Sequence, residues 1–588
     1  MRGRLAQALV LVPGILLGGP ALAQPVPPAA AGVALPNREQ VQPQVPQAAP
    51  APSTARVESA GSMVASPCAL EGSPIRLTLT SLAFERPDGA PVAPELQQLL
   101  QPLAADLPQG AQPVSVVCRI RDRINERLNQ AGYVALAQIP PQDIAGGAFR
   151  LQIVTARIGQ VRVVGDAGPF RREIERRIES LRRLDPFNRH DAERILLMAN
   201  DIPGVDVTLG LSSANGAPGE VIGTLAVSVQ RWKVLANVQN YGSSQLGPTI
   251  ASVRAEANGL TGLADRTFIA WSNSTQWREV RVVQAGHDTA LGDSGFRLGL
   301  RGSLAWSRPS VPNLDLRSRS LIAGLEVSRT LRRSLATELV ATGGLELLNQ
   351  RSRIYQGSAA IPFTLDHLRV AFVRLDGKTA LEGGGRQWGR ITAQLEARKG
   401  LAVLGASHRG RGIASYSPSR FEGDPQATVL RAELGADLRP GAGLSLGLSA
   451  FGQWANHPLL NLEEFSLGNF SYGKGYDPGA NGGDRALALH AEPRIRLPLP
   501  GSPEIYGFYD WVRIANLDTG STERKRTLRS VGGGARLVLP GRLVLDLAYA
   551  HPLDKALSSD TARPRNRFLA SLTFQLFPWG QLFPWGRR

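Results

Sequence analysis

The sequence predicts a membrane β-barrel of about 16 antiparallel strands, preceded by two N-terminal α/β domains. Three observations favour this fold: an export signal at the N-terminus, two consecutive segments that repeat one order of strands and helices, and a long C-terminal part in which apolar and polar residues alternate. After the N-terminal segment, no uninterrupted apolar run is long enough for a spanning helix. The chain is therefore expected to cross a membrane with strands.

Residues 1–23 have the composition of a secretory signal peptide. Arg2 and Arg4 precede an apolar stretch, and Ala21, Leu22 and Ala23 supply a small-residue cleavage site. Prolines and glycines interrupt the apolar stretch, which falls short of the ~20 residues that a spanning helix needs. A membrane anchor is thus the weaker alternative, and we expect cleavage after Ala23.

Residues 24–67 form a linker that is rich in proline and alanine. Prolines recur every few residues as far as about Arg56, so this composition can neither bury a core nor continue a long helix. We expect an extended tether, with a short helix around residues 37–42 as the alternative.

Residues 68–156 and 157–230 are predicted to fold as two similar α/β domains. In the first, Val117, Ile120, Ile124 and Leu128 recur at three- and four-residue steps, which gives a helix with one apolar face. The first unit has predicted strands at 76–80 and 149–153 and helices at 94–103 and 117–131; the second has predicted strands at 160–164, 205–209 and 223–229 and helices at 170–181 and 191–199. The open sheet edges of such units suit the addition of an extended peptide strand.

Residues 231–577 show the two-residue period of strands that are apolar on one face. Between Phe296 and Ser307, Phe, Leu and Trp occupy one parity, while Arg297 and Arg301 occupy the other. A lipid-embedded barrel requires this apolar-out, polar-in alternation. A soluble β-sandwich or solenoid also alternates, but the export signal, the long strands and the C-terminal aromatic cluster favour the barrel.

The length of this region fits about 16 strands of ~10 residues with unequal loops. The lumen of such a barrel has room for water and an extended polypeptide. Residues 578–588 then form a C-terminal tail.

Charge and rare residue types exclude several classes of function. The formal net charge is +17, but the chain is expected to be exported, so we expect outer-membrane lipid, lipopolysaccharide and a basic lumen to balance it, and not nucleic acid. The 7 histidines are widely spaced. Their spacing does not match a metal-ligand motif. We expect no enzymatic activity, no metal and no cofactor.

Short motifs occur in a fixed order along the chain. They are Gly132-Tyr133-Val134 and Pro140-Pro141-Gln142-Asp143 in the first α/β unit, Asn200-Asp201-Ile202-Pro203-Gly204-Val205 in the second, Asn240-Tyr241-Gly242-Ser243 at the first barrel strand, and Phe465 to Tyr476 in a long loop. In this order, from about Cys68 to Phe577, the chain resembles the two-partner secretion transporters, the ShlB/FhaC/HecB type of haemolysin secretion and activation proteins. The resemblance implies two POTRA domains in the periplasm and a barrel in the Gram-negative outer membrane.

The resemblance also implies a function. Such a channel recognises an unfolded exoprotein in the periplasm through its POTRA domains and translocates it to the cell surface, without a cofactor. Its partner would be a secreted exoprotein with an N-terminal secretion domain, and we expect the channel to be a monomer. An outer-membrane protein assembly factor, or insertase, of the same superfamily is the alternative, although it usually has a longer periplasmic arm.

The family's long loop carries a latch, in which a Val-Arg-Gly-Tyr tip folds into the barrel and its Arg pairs with an Asp on the wall. Here the tip is Gly473-Lys474-Gly475-Tyr476, and the wall motif is Phe508-Tyr509-Asp510-Trp511-Val512, with Val512 at the family's Gly. The resemblance therefore implies a latch of Lys474, Gly475, Tyr476, Phe508 and Asp510, in which Lys474 pairs with Asp510. Lysine lacks the bidentate fork of arginine, so we expect a looser pair.

Cys68 and Cys118 match cysteines in the first POTRA domain of many members. An exported chain with one cysteine pair most simply forms a disulfide, and two free thiols are the alternative. At its N-terminus the chain departs from the family, because the proline-rich linker would not sustain the long helix that plugs the family's barrel. We therefore expect the loop alone to close the pore.

Overall fold

The computed structural model describes residues 35–43, 57–59, 67–144, 146–214, 218–292, 295–383, 386–441, 443–468, 471–539 and 543–577. The predicted signal peptide, most of the predicted linker and the predicted C-terminal tail lie outside the described residues. None of the helices in these ranges has the length and the apolar composition to cross a lipid bilayer.

The elements are named in chain order. The helices are α1 (Arg38–Val41), α2 (Pro94–Ala105), α3 (Val116–Gln130), α4 (Arg171–Arg182) and α5 (Arg189–Asn200). The first strands are β1 (Val57–Ser59), β2 (Arg76–Leu77), β3 (Ser81–Glu85), β4 (Gln112–Pro113), β5 (Ala135–Gln138), β6 (Ala148–Thr155), β7 (Arg157–Val164), β8 (Val205–Ser213) and β9 (Glu220–Val229). The later strands are β10 (Trp232–Gln239), β11 (Ile250–Asn258), β12 (Arg266–Ser274), β13 (Val280–Leu291), β14 (Phe296–Ser307), β15 (Asp315–Arg333), β16 (Thr337–Gln356), β17 (Ala359–Gly383), β18 (Arg386–Gly400), β19 (Thr428–Gly441), β20 (Leu444–Ala455), β21 (Phe465–Ser466), β22 (Gly482–Gly483), β23 (Arg485–Arg496), β24 (Glu504–Ala515), β25 (Lys525–Leu539), β26 (Leu543–Pro552) and β27 (Arg567–Phe577).

The first α/β domain packs its helices against a sheet of order β3-β6-β5. β3 is parallel to β6, and β5 is antiparallel to it. The apolar face expected for α3 is buried: Val117, Ile124 and Leu128 belong to one core cluster with Leu151 of β6. This packing of one apolar helix stripe on a sheet is what holds the domain together.

Two details of this domain bear on the sequence predictions. The strand expected at 76–80 is only two residues long: Arg76 pairs with Pro113 and Leu77 with Gln112, and further on the Thr80 N–H donates to the Gly147 carbonyl at 2.8 Å instead. A disulfide with an S–S distance of 1.99 Å joins Cys68 to Cys118 in α3. It attaches the start of the domain to its helical core.

The second α/β domain packs α4 and α5 against a sheet of order β1-β8-β9-β7. β7 is parallel to β9, and β8 is antiparallel to it. β1 comes from the linker and pairs in parallel with β8, with Val57 opposite Leu209 and Ser59 opposite Leu211. The linker thus pairs with the central residues of β8, the edge strand that was expected to be open.

Strands β10 to β20 and β23 to β27 form a closed antiparallel barrel of sixteen strands, in which β10 pairs with β27. The predicted fold class is confirmed. Leu300 of β14 is 51% exposed on the outer face, whereas its neighbour Arg301 pairs with Glu326 on the lumen side. Below the barrel, the Arg333 guanidinium binds both carboxylate oxygens of Asp201 at 2.7 and 2.9 Å and so connects the second domain to β15.

Two chain segments lie inside the lumen: α1, and the described residues 456–468 and 471–484 between β20 and β23, which we call the lumen loop. α1 is held from several sides. The Pro36 carbonyl accepts hydrogen bonds from Gln350 Nε2 at 2.7 Å and from Asn461 Nδ2 at 2.9 Å, and Ser303 of β14 donates to the Val41 carbonyl. Since α1 also lies in the lumen, the expectation that the loop alone closes it is wrong.

The physical reason is the small size of α1. It begins directly after Pro36, and Asn37 and Gln40 form a capping box in which each side chain accepts a hydrogen bond from the other's backbone N–H, at 2.9 and 3.0 Å. A four-residue helix of this kind needs no long proline-free stretch. It corresponds to the alternative at residues 37–42.

Candidate functional site: the latch in the barrel lumen

The tip of the lumen loop, residues 473–476, lies so close to its surroundings that two glycines are required. Gly473 has a φ of +74°, and a Cβ there would lie 2.5 Å from Leu467 Cδ1. A Cβ on Gly475 would lie 2.7 Å from Ser530 Cβ of β25. A side chain at 475 would therefore displace the tip from the wall, and a side chain at 473 would be strained by the positive φ and would collide with Leu467 of the same loop.

Asp510 of β24 binds the tip through the main chain. This carboxylate is fully buried, and its Oδ2 accepts hydrogen bonds from the Lys474 N–H at 3.0 Å and the Ser530 hydroxyl at 2.8 Å. Its Oδ1 lies 2.7 Å from Nδ1 of His490, which sits directly opposite Asp510 on β23. Partners on both oxygens offset the cost of burying the carboxylate.

The Lys474 ammonium pairs with a different carboxylate. Nζ lies 3.1 Å from Glu492 Oε2 and 4.8 Å from the centre of the Phe508 ring. The expected side-chain pair between Lys474 and Asp510 is therefore replaced by a main-chain bond to Asp510 and an ion pair with Glu492. The reason is occupancy: His490, Ser530 and the Lys474 amide already fill the Asp510 oxygens, and the long lysine side chain extends past them.

His490 and Glu492 are functional-site residues that sequence reasoning missed. They lie at alternate positions of β23, so they share the lumen face, and His490 Nε2 lies 3.4 Å from Glu492 Oε2. Arg494 Nε donates to Glu492 Oε1 at 2.7 Å. Their alternation was visible in the sequence, but their placement opposite Asp510 depends on the register between two strands.

Tyr476 anchors the tip on the far side. Its ring is fully buried, its hydroxyl donates to the Arg529 carbonyl at 2.8 Å, and it accepts from the Asp554 N–H at 3.1 Å. The Arg567 guanidinium of β27 donates to the Tyr476 carbonyl. Arg529 also forks onto Asp554 at 2.9 and 3.0 Å, and this hydrogen bonding holds the pKa of the Asp554 carboxyl below its ordinary value. The tip is thus held by β24, β25 and β27 together.

Val512 stands where the family has glycine, and the structure gives its side chain a packing role. It is fully buried and shares a cluster with Leu467 and Tyr472 of the lumen loop. The wall therefore contacts the loop here through a methyl-bearing side chain.

The base of the lumen loop, the 3-10 turn Asn461–Glu463, is held by ion pairs. Glu463 pairs with Arg398 at 2.8 Å, Arg38 at 3.0 Å and Arg431 at 3.3 Å. Glu346 of β16 pairs with Arg38 at 2.7 Å and with Arg398 at 2.6 Å. Arg38 of α1 therefore bridges the wall and the loop, and both segments in the lumen share one charged network.

A hydrogen bond reinforces this bridge. Asn37 Nδ2 donates to Ser466 Oγ of the lumen loop at 2.7 Å. No local sequence pattern predicts this network, because Arg38, Glu346, Arg398 and Glu463 are far apart in the chain. Within the described ranges, no group of three or more His, Cys, Asp or Glu residues is placed to hold a metal ion.

Comparison with known proteins identifies the family and one relative that this chain resembles. The model of the haemolysin secretion/activation protein ShlB/FhaC/HecB family matches residues 224–537. The chain is 20% identical over 468 residues to the heme/hemopexin transporter protein HuxB of Haemophilus influenzae, a match that covers 76% of this chain and 79% of that protein.

Solved structures agree in fold. CdiB from Escherichia coli superposes with a TM-score of 0.64 at 16% identity and covers 92% of this chain and 95% of its own. CdiB from Acinetobacter baumannii has a TM-score of 0.58 at 15% identity, over 85% and 90% of the two chains. The family match does not favour the alternative of an assembly factor. The chain therefore belongs to the haemolysin secretion/activation protein ShlB/FhaC/HecB family of outer-membrane two-partner secretion transporters.

Proposed function

We propose that this chain is the channel that recognises one unfolded exoprotein in the periplasm through its POTRA domains and translocates it to the cell surface. The observation that carries the proposal is what fills the lumen. A sixteen-stranded barrel has room for an extended polypeptide, and α1 and the lumen loop occupy that room through non-covalent contacts. A pore that is closed by such segments opens without breaking the wall.

The latch consists of Lys474, Gly475, Tyr476, Phe508 and Asp510. In our proposal it fixes the lumen loop while the barrel passes its client. The supporting contacts are the main-chain hydrogen bond from Lys474 to Asp510, the close approach of Gly475 to β25 and the buried Tyr476 hydroxyl. Phe508 contributes its ring face to the Lys474 ammonium.

The partner in this proposal is a secreted exoprotein with an N-terminal secretion domain. The edge of β8 supports capture, since it already holds the extended strand β1 in parallel pairing. Main-chain hydrogen bonds read no side chains, so such an edge suits a client without fixed structure. The second function of the edge, to hold the linker, means that client and linker compete for it.

We also propose a monomer that is surrounded by lipid and lipopolysaccharide. Large apolar side chains on the outer face, among them Val373 at 65% and Leu300 at 51% exposed, suit acyl chains. The sheet closes through β10 and β27, which leaves no barrel edge for a second copy. The family membership supports a channel without a chemical reaction.

Export of an exoprotein that carries an N-terminal secretion domain and is co-expressed with the chain tests the function. Cells that carry the chain should release the exoprotein into the medium, and cells without it should retain it. Levels of other outer-membrane barrels, measured in the same cells, should stay the same. Export of the exoprotein by cells without the chain contradicts the proposal. If those cells lose other outer-membrane barrels but still export the exoprotein, the chain is an assembly factor instead.

A further inference from the structure

Arginines gather on the outer face of the barrel at one end of four neighbouring strands, β13 to β16. They are Arg281, Arg317, Arg319, Arg351 and Arg353. Alternation along each strand sets their direction. The residues between them, among them Val282, Ser318 and Ser352, are buried on the lumen side, and Val282 packs with Val41 of α1. The arginines therefore point away from the lumen.

Their position along the strands is the outer border of the membrane. At the opposite end of β15, Arg333 binds Asp201 of the second α/β domain, so the Arg319 end faces away from the periplasm. Arg319 and Arg329 share one parity of β15 and are ten residues apart. At about 3.3 Å per residue and a strand tilt of about 40°, they are separated by roughly 25 Å along the barrel axis, which is the height of a barrel's apolar band. The residues exposed between them are Leu321, Leu325 and Val327.

The strand register brings four of the arginines together. Arg319 lies directly opposite Arg351, and Arg317 lies directly opposite Arg353. We call these four residues the arginine square. Side chains that are directly opposite have Cβ atoms about 4.5–5.5 Å apart, and like charges at such positions destabilise the sheet. The square therefore repels itself unless anions lie between its members.

The protein supplies few anions to the square. Asp315 pairs with Arg317 at 2.8 Å, but it also pairs with Arg308, outside the square, at 2.8 Å. Arg319 and Arg351 form no ion pair with any residue that the structure describes. Their guanidinium groups are exposed on the outer face. The counter-ion of the square must therefore come from the surroundings of the barrel.

An aromatic ring and a further arginine extend the square into a row. The Arg319 guanidinium lies 5.9 Å from the centre of the Trp306 ring on β14, and tryptophan favours the border of a membrane. On the far side of Trp306, Arg281 of β13 is the next residue in register. With about 4.8 Å between neighbouring strands, the row from β13 to β16 is roughly 14 Å long. Cations thus stand at both ends of the row.

Lipopolysaccharide is the anionic lipid that fits this surface. Its lipid A part is a disaccharide that carries a phosphate at each end and acyl chains below, and guanidinium groups bind phosphate oxygens through paired hydrogen bonds. We propose that the outer face of β13 to β16 binds the lipid A headgroup of one lipopolysaccharide molecule, with the arginine square on one phosphate and Arg281 on the other. The acyl chains then lie along exposed leucines such as Leu321 and Leu347. This inference rests on the lipopolysaccharide contact of the proposed function and gives it a location.

Binding of purified lipid A to the full chain in a neutral detergent tests the site. The variant Arg319→Gln/Arg351→Gln removes two cations of the square and should bind lipid A at least about tenfold more weakly, a loss of ~1.4 kcal/mol. The matched control is Arg329→Gln/Arg332→Gln, which removes two exposed arginines from the periplasmic end of β15 and should leave the affinity unchanged. Heat-dependent gel migration checks that both variants are assembled barrels.

Two further lipids test the source of the phosphate. Lipid A without its phosphates should bind the unmodified chain at least about tenfold more weakly, and an equal concentration of phosphatidylglycerol should not displace lipid A. Equal affinity of the variant and the control, or equal competition by phosphatidylglycerol, overturns the inference. Export of a co-expressed exoprotein by the unmodified chain is measured separately, so that a loss of export with retained lipid A binding contradicts the proposed channel and not this site.

Discussion

The base and the tip of the lumen loop are fixed by different kinds of contact. At the base, Glu463 is held by the side chains of Arg38, Arg398 and Arg431, which come from α1, β18 and β19. At the tip, Asp510 receives a main-chain N–H from residue 474. A side-chain network depends on the identity of each member, whereas a main-chain bond can be made by almost any residue.

From this difference we expect the tip to tolerate changes of side chain better than the base does. At position 474, the main-chain N–H donates a hydrogen bond to Asp510, and the lysine ammonium pairs with Glu492. Valine in place of glycine adds packing at position 512. The base has no such freedom, because Arg398 is 2% exposed and each buried carboxylate there needs its partner.

The largest effect is expected for Arg398→Ala. Loss of the Arg398 guanidinium leaves the buried carboxylates of Glu346 and Glu463 with one cation fewer. This should destabilise the base network by about 3–5 kcal/mol and release α1 together with the base of the lumen loop. Conductance in planar bilayers and sensitivity of cells to large antibiotics should both rise. The control is Arg439→Ala, which breaks an exposed pair with Asp437; equal conductance in the two variants would show that the base does not hold the pore closed.

The next largest effect is expected for Asp510→Ala. The change removes the acceptor for Lys474, Ser530 and His490, each hydrogen bond being worth about 0.5–1.5 kcal/mol. Export should fall at least about tenfold, a loss of ~1.4 kcal/mol, while heat-dependent gel migration shows an assembled barrel. Asp510→Asn keeps one carbonyl oxygen for the Lys474 N–H and should retain partial export. Full export by Asp510→Ala would remove the latch from the mechanism.

A smaller effect is expected for Lys474→Ala. The main-chain bond to Asp510 stays, and Glu492 keeps Arg494 as a partner, so export should fall only about two- to fivefold, the range of one hydrogen bond. Lys474→Arg should export normally. The comparison of base and tip breaks down if Lys474→Ala is as severe as Asp510→Ala, because the side chain would then carry the latch.

The smallest effect concerns Asp554, at the edge of the tip. Its pKa lies below the ordinary value because of the Arg529 guanidinium, so its contribution is complete at neutral pH and is lost only as the pH falls through that lowered pKa. The difference in protease resistance of the lumen loop between Asp554→Asn and the unmodified chain should therefore stay constant between about pH 7 and 6. Asp554→Asn should alter export less than about twofold, as for other exposed pairs; a strong loss would add Asp554 to the latch.

The sequence predicted the fold well because the period of a strand is a local property. Leu300 and Arg301 lie on opposite faces of β14 because adjacent residues of a strand point to opposite sides of the sheet. The helix α1 could also be predicted locally, since Asn37 and Gln40 are spaced as in a capping box. The surrounding prolines, however, favoured an extended chain over a helix.

The candidate site was predictable only in part. The tip and the wall motif could be found because each is a contiguous run, but the partner of the Lys474 ammonium could not, since Glu492 lies on another strand whose register decides the contact. The base network brings together Arg38, Glu346 and Glu463 from three distant segments. Such contacts depend on the three-dimensional closure of the barrel and leave no local pattern.

The pairing of β1 with β8 limits how far α1 can travel. Residues 42–56 separate α1 from β1, and these fifteen residues span at most roughly 50–54 Å when fully extended. If β1 is released, the disulfide at Cys68 is a fixed point further along the chain, and the 26 residues 42–67 span at most roughly 86–94 Å when fully extended. A client strand that displaces β1 in the periplasm would thus increase the distance that α1 can move inside the pore. It would do so without contacting α1.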